Sequence, residues 1–165
     1  MPLFKLHGIH VAHHKNTAKM KAVRIKVPNE VIIPMNMHIG VPSKPIVKVG
    51  ERVLVGQKIA EADGFISVPI HSSVSGKVKK IENRLSSNGA YVKAITIESD
   101  GLMEVAQTVK PVIVEDTPSF VQAIKESGLV GLGGAGFPTH VKLSVKDLNQ
   151  IEEIIINCAE CEPYI

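Results

Sequence analysis

The residues whose types and spacing could do chemistry fall near the end of the chain. Gly131-Leu132-Gly133-Gly134-Ala135-Gly136 places four glycines in six residues. Such a loop has no side chains along one face, so backbone N–H groups can close on the oxygens of a phosphate. It is not a P-loop, which would end in Gly-Lys-Ser/Thr, because Phe137-Pro138 follows. Nor does it read as a dinucleotide fingerprint, which follows a strand, because the residues before it have helical spacing. A tight turn that lets helices pack closely is the competing reading. Lys142 offers a counter-charge a few residues on and moves the balance toward an anion site.

A second stretch is Asn157-Cys158-Ala159-Glu160-Cys161-Glu162-Pro163. It follows an apolar run, Glu153–Asn157, that reads as a buried strand, and open α/β sheets place ligands at the C-terminal ends of their strands. Asn157 brings a donor and an acceptor, and ionised Glu160 and Glu162 bring acceptors only. Those groups suit ribityl hydroxyls, a flavin ring edge or a nicotinamide ribose; a loop of solvated carboxylates is the alternative. Cys158 and Cys161 form a lone C-x-x-C, whereas zinc or iron–sulfur sites usually take four ligands. A redox disulfide stands as one reading and two ordinary buried thiols as the one adopted. His7, His10, His13 and His14 have no carboxylate or cysteine nearby to complete a metal site, and are read as a surface arm.

These residues need a scaffold, and the 165-residue chain is long enough for one ordinary domain or two small ones. Hydrophobic residues make up 44%, so a packed core is available. Aromatics are only 4%, with no Trp, which leaves few rings for stacking single-stranded bases. The net charge of +3 is dispersed, so no nucleic-acid partner is expected. No run of ~18 apolar residues is present to span a bilayer, and the N-terminus lacks the apolar core of a secretory signal. Residues 1–30 read as an extended arm in which the alternation from Lys21 to Val27 predicts one short strand. Residues 31–105 have all-β grammar: VIIP, PIVKV, RVLV, QKIAE, GFISVPI, SGKVKKI and YVKAITIES are short Val/Ile runs separated by Gly, Pro, Ser and Asn. Glycines 50, 56 and 76 mark turns.

From Thr117 the pattern changes, with a domain boundary expected near residues 105–115. A linker and short strand are expected over 101–117. A helix follows, capped by Thr117 with Pro118 at its first position and closed by Gly128. After the glycine loop, a short helix is expected over Ser144–Gln150, then the Glu153–Asn157 strand. The reading is an α/β layer over 111–165. One strand cannot close a sheet, so the expectation is that only the opening of that domain lies in this chain.

Within residues 44–82, KPIVKVGERVLVGQKIAE and ISVPIHSSVSGKVKKI have the habit of the two halves of a barrel-sandwich hybrid. Biotinyl and lipoyl carriers present a modified lysine between such halves, but here the hairpin reads Glu61-Ala62-Asp63-Gly64-Phe65-Ile66 and has none. That points to docking or scaffolding, not to a swinging arm.

Taken with HGIHVAHHK, IPMNMHIGVPSKPIVKVGERVLVGQKIAEADGFISVPIHSSVSGKVKKIE, GLVGLGGAGFPTHVKLS and IIINCAECEPYI, the chain resembles the C subunit of Rnf electron-transport complexes, which are ion-translocating ferredoxin:NAD oxidoreductases. The last two strings are also similar to the flavin-binding subunit of respiratory complex I. The resemblance implies an α+β protein with an all-β barrel-sandwich hybrid followed by the start of a complex I-like FMN domain. It implies FMN as cofactor and NADH as substrate. Gly131, Gly133, Gly134, Ala135 and Gly136 would wrap the flavin. Phe137 would wall the site, Lys142 would lie near the phosphate or ring, Asn157 would contact the flavin, and Glu160 and Glu162 would line the flavin and nicotinamide pocket. Two [4Fe–4S] clusters need tandem cysteine motifs absent here, so they are expected only farther along the polypeptide. Leu132 stands where the flavin-binding protein of complex I has arginine, and Ala159 where it has an acidic residue.

The implied parent is a peripheral oxidoreductase subunit on the cytoplasmic face of a membrane complex, partnered by other Rnf subunits and by NAD(H) without inserting in the bilayer. Two alternatives share these features. One is a soluble flavin/iron–sulfur carrier of the cobalamin-reductase or proline-reductase-associated type. The other is a non-catalytic docking module.

Overall fold

Every apolar run of the all-β region contributes to a strand or to the core that strands enclose. The computed structural model describes residue 12 and residues 14–86 and 89–155. Its strands are β1 (Glu30–Pro34), β2 (Lys44–Pro45), β3 (Arg52–Val53), β4 (Lys58–Glu61), β5 (Ile70–His71), β6 (Gly76–Leu85) and β7 (Tyr91–Ser99). They pair antiparallel into a four-stranded sheet of order β1-β7-β6-β3 and a three-stranded sheet of order β2-β4-β5. The two sheets close on one apolar core. Ile33, Val53, Val78, Ile95 and Ile97 enter it from the first sheet, Ile59, Ala60 and Ile70 from the second, and Met35, Val47 and Val74 from the connections. Burial of these apolar side chains is the main stabilising term. In β7 the run from Ala94 to Ile97 is buried without alternation, as expected of an inner strand covered on both faces.

Short strands leave much of the backbone to turns. Gly50 and Gly56 adopt φ of +90° and +76°, the left-handed conformation their turns require. Gly76 is different. It opens β6, and a Cβ there would overlap the Glu98 carbonyl of β7.

Two helices follow the barrel: α1 (Thr117–Glu126) and α2 (Thr139–Leu143). The cap of α1 is Asp116, one residue before the expected Thr117. Its carboxylate accepts from the Ser119 N–H at 2.8 Å, while the Ser119 hydroxyl accepts from the Asp116 N–H at 3.0 Å. This reciprocal box outcompetes a threonine cap. The Ser119 hydroxyl and N–H hold the Asp116 carboxyl below its ordinary value. Gly128 follows the helix with φ of +71°, as expected.

Four local expectations are corrected. Lys21–Val27 forms no strand, and its apolar side chains are exposed. Residues 111–115 are exposed and form no strand either. Alternation alone does not make a strand when no neighbour pairs with its backbone. The expected Ser144–Gln150 helix is absent as such. Ser144 ends α2, its hydroxyl donating to the His140 carbonyl at 2.7 Å. A separate 3₁₀ turn (Leu148–Gln150) starts at Asp147, which accepts from the Asn149 N–H at 3.0 Å. Glu153–Ile155 is not a strand, and Ile154 and Ile155 are 83% and 88% exposed; a buried parallel strand needs partners on either side, and none pairs with it among the described residues.

The chain divides into two units: Lys26–Lys146 is one, and residues 1–25 with 147–165 form the other. The barrel, α1, the glycine loop and α2 all belong to the first.

Candidate functional site

The glycine loop is pinned at its base. Val130 bridges antiparallel to Pro138, Gly131 N–H donates to the Phe137 carbonyl at 3.1 Å, and Thr139 N–H donates to the Leu129 carbonyl at 3.0 Å. Residues 132–135 form the turn between these ties, with Leu132 92% exposed at its tip.

The glycines do different jobs. Gly136 has φ of +67°, and a Cβ on it would lie 3.0 Å from the Met37 carbonyl oxygen and 3.1 Å from the His38 Cα. Glycine is needed there by conformation and by close packing on the barrel. Gly133 and Gly134 do not have positive φ, and a Cβ on either would meet no atom within 4 Å. Neither backbone strain nor internal packing explains glycine at those two positions. Their bare backbone is open to something outside this segment, as a phosphate-approaching loop requires.

The Lys142 ammonium lies 5.7 Å from the centroid of the Phe137 ring, a cation–π contact. The same ammonium would lie 3.8 Å from a Cβ on Gly131. Gly131, Phe137 and Lys142 therefore converge, with Lys142 exposed and available as a counter-charge. Asn157, Glu160 and Glu162, like Cys158, Cys161, His7, His10 and His13, lie outside the described residues. His14 is described, but no group of three or more potential metal ligands occurs among the described residues.

An open cleft of about 720 Å³ lies between the loop and the barrel. Val130, Gly131, Leu132 and Gly134–Gly136 form one wall; Asn36–Gly40, Pro42 and Val92 form the other. Phe137 and Lys142 are not in that lining. The barrel wall was not legible as a site in the sequence, because Met-Asn-Met-His carries no recognisable spacing. A buried histidine holds it. The His38 Nδ1–H donates to the Ile39 carbonyl at 2.9 Å, which fixes the tautomer because a carbonyl only accepts. Nε2 then accepts from the Val68 N–H at 3.4 Å and faces the Ser43 hydroxyl at 3.1 Å.

Further ties join the segment that carries the loop to the barrel. His140 of α2 is buried and its Nε2–H donates to the Phe65 carbonyl at 3.3 Å, at the hairpin that lacks the carrier lysine. Its Nδ1 is buried without a partner among the described residues. Burial lowers the His140 pKa, only partly opposed by the Phe65 bond, and Lys125 lowers it further. On the other flank, Lys58 of β4 pairs with Glu126 of α1 at 2.5 Å and with Glu61 at 3.0 Å. Burial opposes the Lys58 charge, but hydrogen bonds to Glu126 and Glu61 outweigh it and raise its pKa. Gly128 completes the fit, since a Cβ there would lie 2.6 Å from the Pro69 carbonyl oxygen.

Comparison with known proteins matches both halves. Residues 4–102 match the family model described as RnfC Barrel sandwich hybrid domain, and residues 124–165 match the Nuo51 FMN-binding domain. The chain is 45% identical over 162 residues to the C subunit of the Na(+)-translocating ferredoxin:NAD(+) oxidoreductase complex of Acetobacterium woodii, covering 96% of this chain and 37% of that protein. It is 38% identical over 165 residues to the C subunit of the proton-translocating ferredoxin:NAD(+) oxidoreductase complex of Clostridium ljungdahlii, covering 96% and 35%. It is 36% identical over 158 residues to the C subunit of an ion-translocating oxidoreductase complex of Pseudomonas aeruginosa, covering 93% and 20%. The chain thus spans between a fifth and just over a third of these relatives. Its strand order, its hybrid-type core and the family match over more than half its length agree: the chain belongs to the RnfC barrel-sandwich-hybrid family.

Proposed function

We propose that this chain is the front part of the NADH-linked subunit of an ion-translocating ferredoxin:NAD oxidoreductase complex, and that residues 131–142 carry the phosphate end of its flavin site. The observation that carries this reading is the pair Gly133 and Gly134, whose bare backbone neither conformation nor packing within the loop explains. Lys142, next to Gly131, adds the positive charge that a phosphate monoester calls for. The residues present therefore fit FMN.

Bound FMN would supply the conversion between a hydride pair and single electrons, chemistry that no side chain of this chain offers. The protein's part is binding and orientation. Gly131, Gly133, Gly134, Ala135 and Gly136 provide a backbone surface for the phosphate and ribityl chain. Lys142 neutralises charge, and Phe137 holds Lys142 over its ring and walls the loop. Asn157 contacts the flavin, while Glu160 and Glu162 line the flavin and nicotinamide pocket. The two [4Fe–4S] clusters that exchange single electrons with the flavin belong to a farther part of the polypeptide. No helix among the described residues is long and apolar enough to cross a membrane. On this reading the chain lies peripherally on the cytoplasmic face, against the membrane subunits of the complex.

The test is flavin reconstitution of the full-length protein, followed by NADH-dependent reduction of an artificial dye. Stoichiometric FMN with dye reduction is expected. A protein that takes up no FMN and passes no electrons from NADH to the dye would be a docking module, and the reading would be lost.

A further inference from the structure

We infer that the barrel itself is half of the flavin site: the turn Asn36–Gly40 forms the wall facing the glycine loop, with Asn36 as its hydrogen-bonding contact to the flavin. This rests on the flavin reading above and extends it to a domain for which that reading assigns no ligand.

Four observations carry the inference. The first is the cleft of about 720 Å³ between the two segments. Gly134 lines it, and a Cβ there would meet no atom within 4 Å, so the missing side chain leaves that wall open. Second, the two walls are held in register. The Ile39 N–H donates to the Gly136 carbonyl at 3.3 Å, and Gly136 lies too close to Met37 and His38 for any other residue to fit without displacement. Third, the barrel turn is stiff. His38 spends its Nδ1–H on the Ile39 carbonyl and its Nε2 lone pair on the Val68 N–H, so it positions the turn and has no valence left for a ligand. Preorganisation of this kind lowers the cost of binding.

Fourth, the chemistry of the two walls is complementary along a flavin nucleotide. The loop wall offers bare peptide groups, which suit the phosphate, and Lys142 adjoins Gly131 just outside the cleft lining. The barrel wall offers the exposed side chains of Met37 and Ile39 beside Pro42, an apolar surface for a planar ring. Asn36 is the polar side chain on that wall with capacity to spare. Its amide nitrogen makes one long bond to the Ser86 hydroxyl at 3.4 Å, and its amide oxygen takes no hydrogen bond among the described residues. A carboxamide can both donate to and accept from the edge of a flavin ring or a ribityl hydroxyl.

The experiment is equilibrium titration of the full-length apoprotein with FMN and, separately, riboflavin, followed by flavin fluorescence. Asn36→Ala is expected to weaken both flavins by the same factor, about fivefold, as loss of one hydrogen bond should. A phosphate contact would instead weaken FMN alone. A shifted visible absorption band of the bound flavin in that variant would place Asn36 at the ring edge, and an unshifted band with both flavins weakened would place it at the ribityl chain. Met37→Glu, at an exposed side chain that places little demand on folding, should weaken FMN at least as much and decides the question if Asn36→Ala does not fold. Asn83→Ala, exposed on β6 outside the cleft lining, should bind as the unsubstituted protein does. Binding of both flavins within about twofold in Met37→Glu and in any folded Asn36→Ala, with Gly134→Val abolishing it, would overturn the barrel wall and leave the glycine-loop reading intact. Failure of the unsubstituted protein to bind FMN would overturn that reading, and the wall with it.

Discussion

The backbone N–H of Ile39, in a turn of the barrel, donates to the carbonyl of Gly136, at the end of the glycine loop, across 3.3 Å. The two residues are 97 positions apart. This bond and the close approach around it seat the loop on the barrel, so a change at Gly136 should act on stability, whereas one at Gly133 or Gly134 should act on ligand binding.

Gly136→Ala places a Cβ 3.0 Å from the Met37 carbonyl oxygen at φ of +67°. The expected cost is about 1–3 kcal/mol of unfolding free energy. Gly133→Ala adds a methyl in open space and should change stability by less than about 0.5 kcal/mol, while weakening FMN. Urea unfolding of both variants, run beside FMN titration, checks the separation. Equal destabilisation by the two substitutions would contradict it.

Lys142 should act on the phosphate alone. Lys142→Gln keeps length and a donor but removes the charge, and is expected to weaken FMN about tenfold while leaving riboflavin unchanged. Parallel titrations with the two flavins read this directly. A variant that loses both equally would place Lys142 at the ring.

The barrel core should respond as a close-packed interior. Ile95 is fully buried at the centre of β7, and Ile95→Ala removes packing shared by both sheets. Its expected cost is about 2–5 kcal/mol. Ile25→Ala, in the exposed arm, should be silent within about 0.5 kcal/mol. Chemical denaturation distinguishes the two.

Acid sensitivity should begin in the imidazole range. Burial lowers the pKa of His140 and of His71 below 6.5; Lys125 adds to this at His140 and Lys58 at His71, where Glu126 and Glu61 act in the opposite sense. The unfolded chain takes up these protons first, so stability is full above about pH 6.5 and declines as pH falls below it. Asp100 and Asp116 titrate below 3.8 and Glu30 below 4.5, so they do not enter that window. Melting temperature between pH 8 and pH 5 should therefore drop in the native protein and drop less in His71→Gln and His140→Gln. A flat profile in the native protein would remove these histidines as the cause.

The sequence by itself determined the barrel. Runs such as QKIAE, SGKVKKI and YVKAITIES combine strand period with turn residues, and local preference and core burial there demand the same structure. The glycine loop was legible for the same reason: four glycines in six residues limit what the backbone can be for. Tertiary structure decided, glycine by glycine, where packing requires the missing side chain, because whether a Cβ would clash depends on what stands opposite. Gly136 faces Met37 and His38, and Gly133 faces open space. Tertiary structure also decided that Lys21–Val27 and Glu153–Ile155 are not strands, since a strand requires a partner that alternation within a segment does not supply. Only tertiary structure brought Asn36–Gly40 opposite Gly134–Gly136. The residues on the barrel side of this cleft are ordinary in type and distant in sequence from the loop, and only tertiary contacts bring them to it.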